Sequence, residues 1–350
     1  MPESGAEERS GRRRPKDIAL KLRDVAVPAA VIAGLLSLLL FIRVPGHGAW
    51  LRATLNASHA PIFAVVTILL AILLRSSGTA RVRPSWPDWS RYGTAFVLAV
   101  VIGGFIEFLQ SLSSRPPSLF DVCTDAAGAA MGLALLAFVE RSRMPEPRPP
   151  VGSSGWLLAA LAVTGALFVF WQPVQTARAY VAREQGFPRL MKFENAVALP
   201  LVSTRHATVA VENVSQPWRR GPEDHALRVN YLGGEADNAL PIRYVAIEPS
   251  ADWRGYSTLV LDLVNPGPLA LPLTLRIRDA RHHWELDPPP SLPIVVPAGT
   301  RADYRIDLAT IAAVSGRRQP DLARIEELFL FPTEAGAPAQ VDIAALWLEK

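Results

Sequence analysis

The chain of 350 residues has one cysteine, Cys123. A lone thiol excludes a disulfide framework. Cys123 stands beside an apolar run and reads as an inert small side chain. Also missing are a glycine-rich phosphate loop, a dinucleotide fingerprint, a nucleophile triad motif and a cysteine metal site. No internal repeat is visible. Acidic residues are scarce in the first part. Residues 1–189 carry 20 Lys and Arg against 12 Asp and Glu, while residues 190–350 carry 16 against 20. Two parts in two environments follow. The basic excess lies mostly in short segments around apolar runs, where it sets membrane orientation rather than nucleic-acid affinity.

Half of the chain is hydrophobic. Residues 1–24 are polar and basic, with Arg12, Arg13, Arg14, Lys16, Lys21 and Arg23, and read as a disordered cytoplasmic tail. Residues 25–42 hold no charge and are the first expected span, with Pro28 in its first turn. Further spans are expected at 60–74 (extending back through 55–59), 93–109, 121–139 and 156–171. The last has tryptophan at both ends, as at membrane interfaces. The expected organisation is a tail (1–24), a four-helix membrane domain (25–140), a linker (141–155), a fifth transmembrane helix (156–174) and an outer domain (190–350).

Lys and Arg alternate along this order. The tail holds seven, loop 43–59 two, loop 75–92 four, loop 110–120 only Arg115, and loop 141–155 three. The alternation predicts a cytoplasmic N-terminus, and five spans put everything after Trp171 outside.

From about residue 190 the pattern changes period. VALPLV, ATVAVENV, ALRVNYL, RYVAIEP, STLVLDLVN, LPLTLRIRD, LPIVVPAG, ADYRIDL, IEELFLFP and QVDIAALWLE read as strands. Turn residues separate them at 265–268, 288–290, 297–299 and 335–338. Many short strands at this spacing predict an all-β jelly-roll sandwich, with one helical turn near 308–313. The expected fold class is a five-span α-helical membrane bundle plus this sandwich.

The stretch 103–132 is the densest in chemistry. Glu107 and Gln110 share one helix face, as do Asp121 and Asp125. The ten residues between them are too few for anything but an antiparallel pair, so both faces meet near one end. Arg115 lies in that loop and His59 opens an earlier span at the same boundary. Paired carboxylates beside Arg and His suit cation binding, proton relay or acid–base work. An Arg with a His also suits a phosphate head group. The structural alternative is helix glue, with Arg115 neutralising Asp121 and Glu107 bonding Gln110. Ala126, Gly128, Ala129 and Gly132 are small because helices approach closely there.

The string IEFLQ…R…FDVCTDAAGAAMG, with NASHAPIF before it, resembles the signature of the VanZ-like membrane family across roughly residues 25–140. The resemblance marks His59, Glu107, Gln110, Arg115 and Asp121. The chain departs at Asp125, where that family usually has Asn. The family is associated by name with glycopeptide-antibiotic resistance and its molecular activity is not established, so the resemblance implies a place rather than a reaction. It also implies a bacterial cytoplasmic membrane.

The outer region, with DWRGYSTLVLDL, LTLRIRDARHHWE and a terminal VDIAALWLE, is similar to carbohydrate-binding-type, galactose-binding-like domains. Many such domains carry a structural calcium, and Glu212 and Asp342 are the candidate oxygen ligands for one here; no other cofactor is expected. It makes Trp253, Tyr256 and Trp284 candidates for stacking on a sugar face, against core or rim packing as the alternative. His282 and His283 are adjacent on an expected strand and point to opposite faces, which makes a joint metal site improbable. Three functions stay open. One is a non-enzymatic envelope protein touching lipid and a cell-wall glycan or lipid-linked precursor. Another is a membrane enzyme using Glu107 and Asp121. The third is a structural anchor.

Overall fold

The computed structural model describes residues 15–41, 48–76, 88–112, 118–144, 152–194, 196–232, 243–281, 290–314, 320–333 and 338–350. It divides into two compact units. One holds residues up to 45 and Thr54–Trp171, the other Gly46–Ala53 and Gln172–Lys350.

Five long helices come first: α1 Pro15–Phe41, α2 Ala49–Ser76, α3 Trp89–Ser111, α4 Leu119–Ser142 and α5 Ser153–Gly186. Among the described residues, α2 to α5 are long and apolar enough to cross a membrane. In α1 the described apolar stretch is Val25–Leu40, and in the sequence the uncharged run continues through Ile42. The described helices thus give four such spans where five were expected. Pro28 lies inside α1 rather than in its first turn, because the helix begins earlier.

Side-chain caps fix where α3 and α4 begin. The Asp88 carboxylate accepts from the Arg91 N–H, and the Ser118 hydroxyl from the Asp121 N–H, each at 3.2 Å. Glycines set how closely the helices approach. A Cβ at Gly128 would lie 2.2 Å from the Ala60 carbonyl oxygen, and one at Gly132 2.5 Å from that of Ala64. Both pairs are one turn apart, so α2 and α4 touch backbone to backbone along two turns. Phe63, Ala99, Ile106 and Ala129 bury beside this seam.

The second unit is a sandwich of two antiparallel sheets. Its strands are β1 Arg189–Lys192, β2 Val202–Arg205, β3 Ala207–Asn213, β4 His225–Tyr231, β5 Tyr244–Ile247, β6 Thr258–Asn265, β7 Leu271–Asp279, β8 Ser291–Val296, β9 Thr300–Asp307, β10 Ile325–Pro332 and β11 Ala339–Glu349. A helix of about two turns, α6 Leu308–Val314, follows β9. One sheet runs β3-β4-β11-β6-β9, with β1 added on β11; the other runs β2-β5-β10-β7-β8. Strand alternation builds the core. Leu259, Leu261 and Leu263 of β6 point inward, as do Leu273, Leu275 and Ile277 of β7. Truncating any of these to Ala should cost about 2–5 kcal/mol. The expected strand VALPLV is mostly a 3-10 turn, Ala196–Leu201. Pro200 has no N–H to give a ladder, so pairing begins only at Val202.

Candidate functional site

The glycine seam positions the polar residues. His59 precedes Ala60 on α2, and Asp125 lies one turn before Gly128 on α4. Their closeness follows from the Ala60–Gly128 contact. His59 Nδ1 and Asp125 Oδ1 are 3.0 Å apart. The third wall is α3, where a Cβ at Gly103 would lie 2.6 Å from Asp125 Oδ2. Gly103 therefore leaves the seat that the Asp125 carboxylate fills. One turn on along α3 stands Glu107, and one turn back along α4 stands Asp121. Both lie within electrostatic reach of His59 and Asp125.

All five described members are buried: His59 and Glu107 to 5 % exposure, Asp125 to 1 %, with Gln110 and Asp121 similar. Glu107 Oε2 accepts the Ser118 N–H at 2.8 Å. Its other oxygen, Oε1, is buried with no hydrogen-bond partner among the described residues. Gln110 donates from Nε2 to the Leu39 carbonyl of α1 at 3.4 Å. Glu107 and Gln110 thus reach to other elements rather than to each other. Arg115 lies outside the described residues.

Chemically, this is an imidazole held by one carboxylate with two more close by. A carboxylate on Nδ1 fixes the ring and leaves Nε2 as the other working atom. Three acids and one imidazole, desolvated together, need protons, hydration or a positive group to balance them. The opposite end of α3 and α4 is built differently. Arg91 bonds Glu140 through Nη2 at 2.6 and 2.8 Å, and the Tyr92 hydroxyl donates to Glu140 at 2.8 Å. There Arg91 and Glu140 compensate one another. This contact was not expected from the sequence, although Arg91 and Glu140 each close a predicted apolar run.

In the sandwich several expectations are corrected. Trp253 is fully buried, with its indole N–H donating to the Ser250 carbonyl at 2.7 Å. It is core, not a sugar platform. Tyr256 is half-buried and packs edge-on against Phe187, their centroids 5.4 Å apart. Trp284, His282 and His283 lie outside the described residues. Glu212 and Asp342 do face one another, but the Arg228 guanidinium sits between them. It bonds both Asp342 oxygens at 3.0 and 3.1 Å and pairs with Glu212. An arginine fills the place expected for calcium.

The same device recurs on that sheet face. Arg301 on β9 holds Asp262 of β6 at 2.7 Å and also pairs with Asp224. Burial acts to raise the Asp224 carboxyl, but the hydrogen bonds from Arg301 and the Arg220 backbone outweigh it and keep it below the usual range. On the outer face of the other sheet, Arg276 stacks on Phe331 and Arg278 on Phe329, while Tyr244 meets Phe329 edge-on. Here Glu327 forms an ion pair with Arg278 at 2.8 Å, yet burial pushes its carboxyl up. The sequence signal for both faces is i, i+2 alternation, as in Arg276/Arg278 and Phe329/Phe331. It was visible but gave no cross-strand partner.

No family model matches the chain, and no curated protein matches it. The VanZ-like resemblance of residues 25–140 therefore has no support beyond its motif. Solved structures do match. One is an exo-beta-agarase, 16 % identical over 46 % of this chain, with a TM-score of 0.37. The chain spans only 24 % of that agarase. Another is a family 11 carbohydrate-binding module from Clostridium thermocellum, solved with a beta-1,3-1,4-mixed-linked tetrasaccharide. It is 14 % identical over 46 % of this chain and 94 % of the module, with a TM-score of 0.32. A family 30 module from a cellulosomal cellulase of the same organism is 13 % identical over 43 % of this chain and 86 % of the module, with a TM-score of 0.29. At these scores the likeness carries no argument about a ligand. The chain is a set of apolar helices of membrane-spanning length followed by a sandwich of two antiparallel β-sheets.

Proposed function

We propose that this is an integral membrane protein of the cell envelope that binds a polar group of an envelope ligand among its helices and carries a glycan- or partner-binding sandwich on the outer side. The observation that carries the reading is Glu107 Oε1. It is a carboxylate oxygen without a partner among the described residues, buried one helical turn from the His59–Asp125 pair. A group this costly to bury is placed by need, not by packing alone.

Topology supports the placement. The first turn of α2 belongs to the sandwich's compact unit, because Glu248 accepts the Ala49 N–H at 2.6 Å. The end of α5 belongs to it too, because Tyr180 pairs with Glu248 and Arg183 donates to the Pro249 carbonyl at 2.9 Å. Four crossings from α2 through α5 return the chain to the side it left, in agreement with one side for both ends. The Lys and Arg alternation makes that side the outer one. A reporter fused after Lys350 tests it: activity outside is expected, and cytoplasmic activity would reverse the orientation.

Ligand capture tests the site. Full-length protein should retain an envelope lipid or glycan from a membrane extract, and Glu107→Gln should lose it while still folding. Equal capture by both proteins would remove Glu107 from the site. A second, catalytic reading rests on the His59–Asp125 contact, the arrangement of an imidazole oriented for proton transfer. It expects turnover of an envelope sugar or phosphate that His59→Gln abolishes. The geometry offers this pair for that role more directly than Glu107 with Asp121.

A further inference from the structure

Within the sandwich unit, a cleft of ≈ 590 Å³ opens between the last turns of α5, β1, the 3-10 turn at Ala196–Leu201 and Trp347 of β11. The helix side of the cleft is lined by Ala179, Ala182 and Gly186, which are three, four and seven residues apart on one face. Their side chains are too small to fill the space against β1.

The charges at the cleft are uneven. Lys192 is paired with Glu194. Arg183 is fastened to Glu184 at 2.7 Å and to the Pro249 carbonyl. The guanidinium of Arg189 is exposed and makes no hydrogen bond or ion pair among the described residues. Elsewhere in the sandwich Arg228, Arg254, Arg301 and Arg305 all sit on carboxylates. Arg189 is not held in this way, and its cross-strand partner is Trp347. Residues directly opposite in an antiparallel pair put their side chains on the same face. The indole N–H of Trp347 donates to Glu349 at 2.9 Å, which holds the half-buried ring in place.

A free guanidinium next to a fixed indole, over a cleft with one uncompensated positive charge, is complementary to a phosphate carried on a sugar ring. Arginine grips phosphate through a planar fork of donors, and an indole face packs the apolar side of a sugar. We propose that this cleft binds a sugar phosphate, with Arg189 on the phosphate and Trp347 against the ring. The inference rests on the reading of the sandwich as a glycan-binding unit and gives that unit a site and a charge preference. It makes no use of the His59–Asp125 cluster. The same phosphate chemistry is offered by a soluble sugar phosphate and by a lipid head group.

The test uses the full chain in phosphatidylcholine nanodiscs, titrated with glucose 1-phosphate and with glucose by calorimetry. Saturable binding of glucose 1-phosphate is expected, with glucose at least about tenfold weaker. Arg189→Ala should lower the affinity for the phosphate at least about tenfold, as expected for losing a charge-assisted contact, and Arg189→Lys should keep part of it. Arg189 is exposed, so folding is not at stake, and an unchanged thermal melt checks this. Ala182→Trp, which fills the cleft from α5, should abolish binding of either probe. Nanodiscs containing phosphatidylglycerol should compete if a lipid head group is the natural source, and leave binding unchanged if a soluble ligand is. Equal binding of glucose and glucose 1-phosphate, or undiminished binding by Arg189→Ala, would overturn the charge assignment while leaving a glycan-binding sandwich standing. No binding of either probe by the parent protein would overturn the site itself.

Discussion

Asp262 and Asp342 in the sandwich, and Asp125 and Glu107 among the helices, are all nearly inaccessible, yet they are housed in opposite ways. In the sandwich an arginine reaches each acid: Arg301 for Asp262 and Arg228 for Asp342. Their bonds are short, several, and made across neighbouring strands. Among the helices three acids share the neighbourhood of one imidazole, and Glu107 Oε1 has no described partner. A buried charge that is fully matched holds structure together. One that is incompletely matched stores electrostatic potential for something else to use. The ends of α3 and α4 repeat the contrast inside one unit, with Arg91 and Glu140 matched at one end and the His59 cluster at the other.

The contrast can be broken by mutation. The largest effect should come from the backbone that brings the acids together. Gly128→Leu would drive a Cβ to 2.2 Å from the Ala60 oxygen. The helices must separate, and the loss should exceed the ~1–3 kcal/mol of ordinary overpacking. Melting in detergent should show the helical unit lost. Arg301→Met comes next. It removes the main partner of Asp262 and Asp224, leaving each only its contact with Arg220, and should cost up to about 3–5 kcal/mol, read as a lower melting temperature of the sandwich. Replacing Asp262 by Leu in that variant should recover part of the loss.

Glu107→Gln should change the stability of the helical unit by no more than ~1 kcal/mol, because Oε1 of its carboxylate has no hydrogen-bond partner among the described residues. If it costs as much as Arg301→Met, the two regions use acids alike and the helical site is glue. The smallest effects concern pH. Asp224 has a folded value below its ordinary 3.8. Its contribution is complete above that ordinary value and is lost as pH falls through the lower folded one. Denaturant melts between about pH 5 and pH 2 should therefore lose an Asp224-dependent part, absent in Asp224→Asn. Glu327 goes the other way, since burial raises it above its ordinary 4.5. Its contribution is present below 4.5 and is lost as pH rises through the folded value, so Glu327→Gln should leave the sandwich at neutral pH as stable or slightly more so.

The strands were largely legible because β7 alternates apolar and charged residues, while β6 and β10 are short apolar runs bounded by turn residues. The helices were legible because long uncharged runs have few other outcomes. What the sequence hid was partnership. Glu107 and Gln110 share a face of α3, which suggests a mutual bond. Their actual partners, the Ser118 N–H and the Leu39 carbonyl, depend on how the helices rotate about the glycine seam. Trp253 misled for a related reason. An indole in a turn-rich DWRGY segment looks available, but its polar edge is satisfied by a carbonyl three residues back, and its ring is free to enter the core. VALPLV misled because its alternation ignores Pro200. Asp342 read as a metal ligand because a strand carboxylate looks alike whether a cation or an arginine meets it.

Gly103 has a consequence for descent. Its missing side chain is the volume in which the Asp125 carboxylate sits. A lineage that acquires even a methyl group at 103 must give up the carboxyl at 125 or move the helix that carries it. The two positions should therefore change together among relatives, with glycine at the first whenever aspartate stands at the second. Such a pairing, read from sequences alone, would date the appearance of the acid that distinguishes this site.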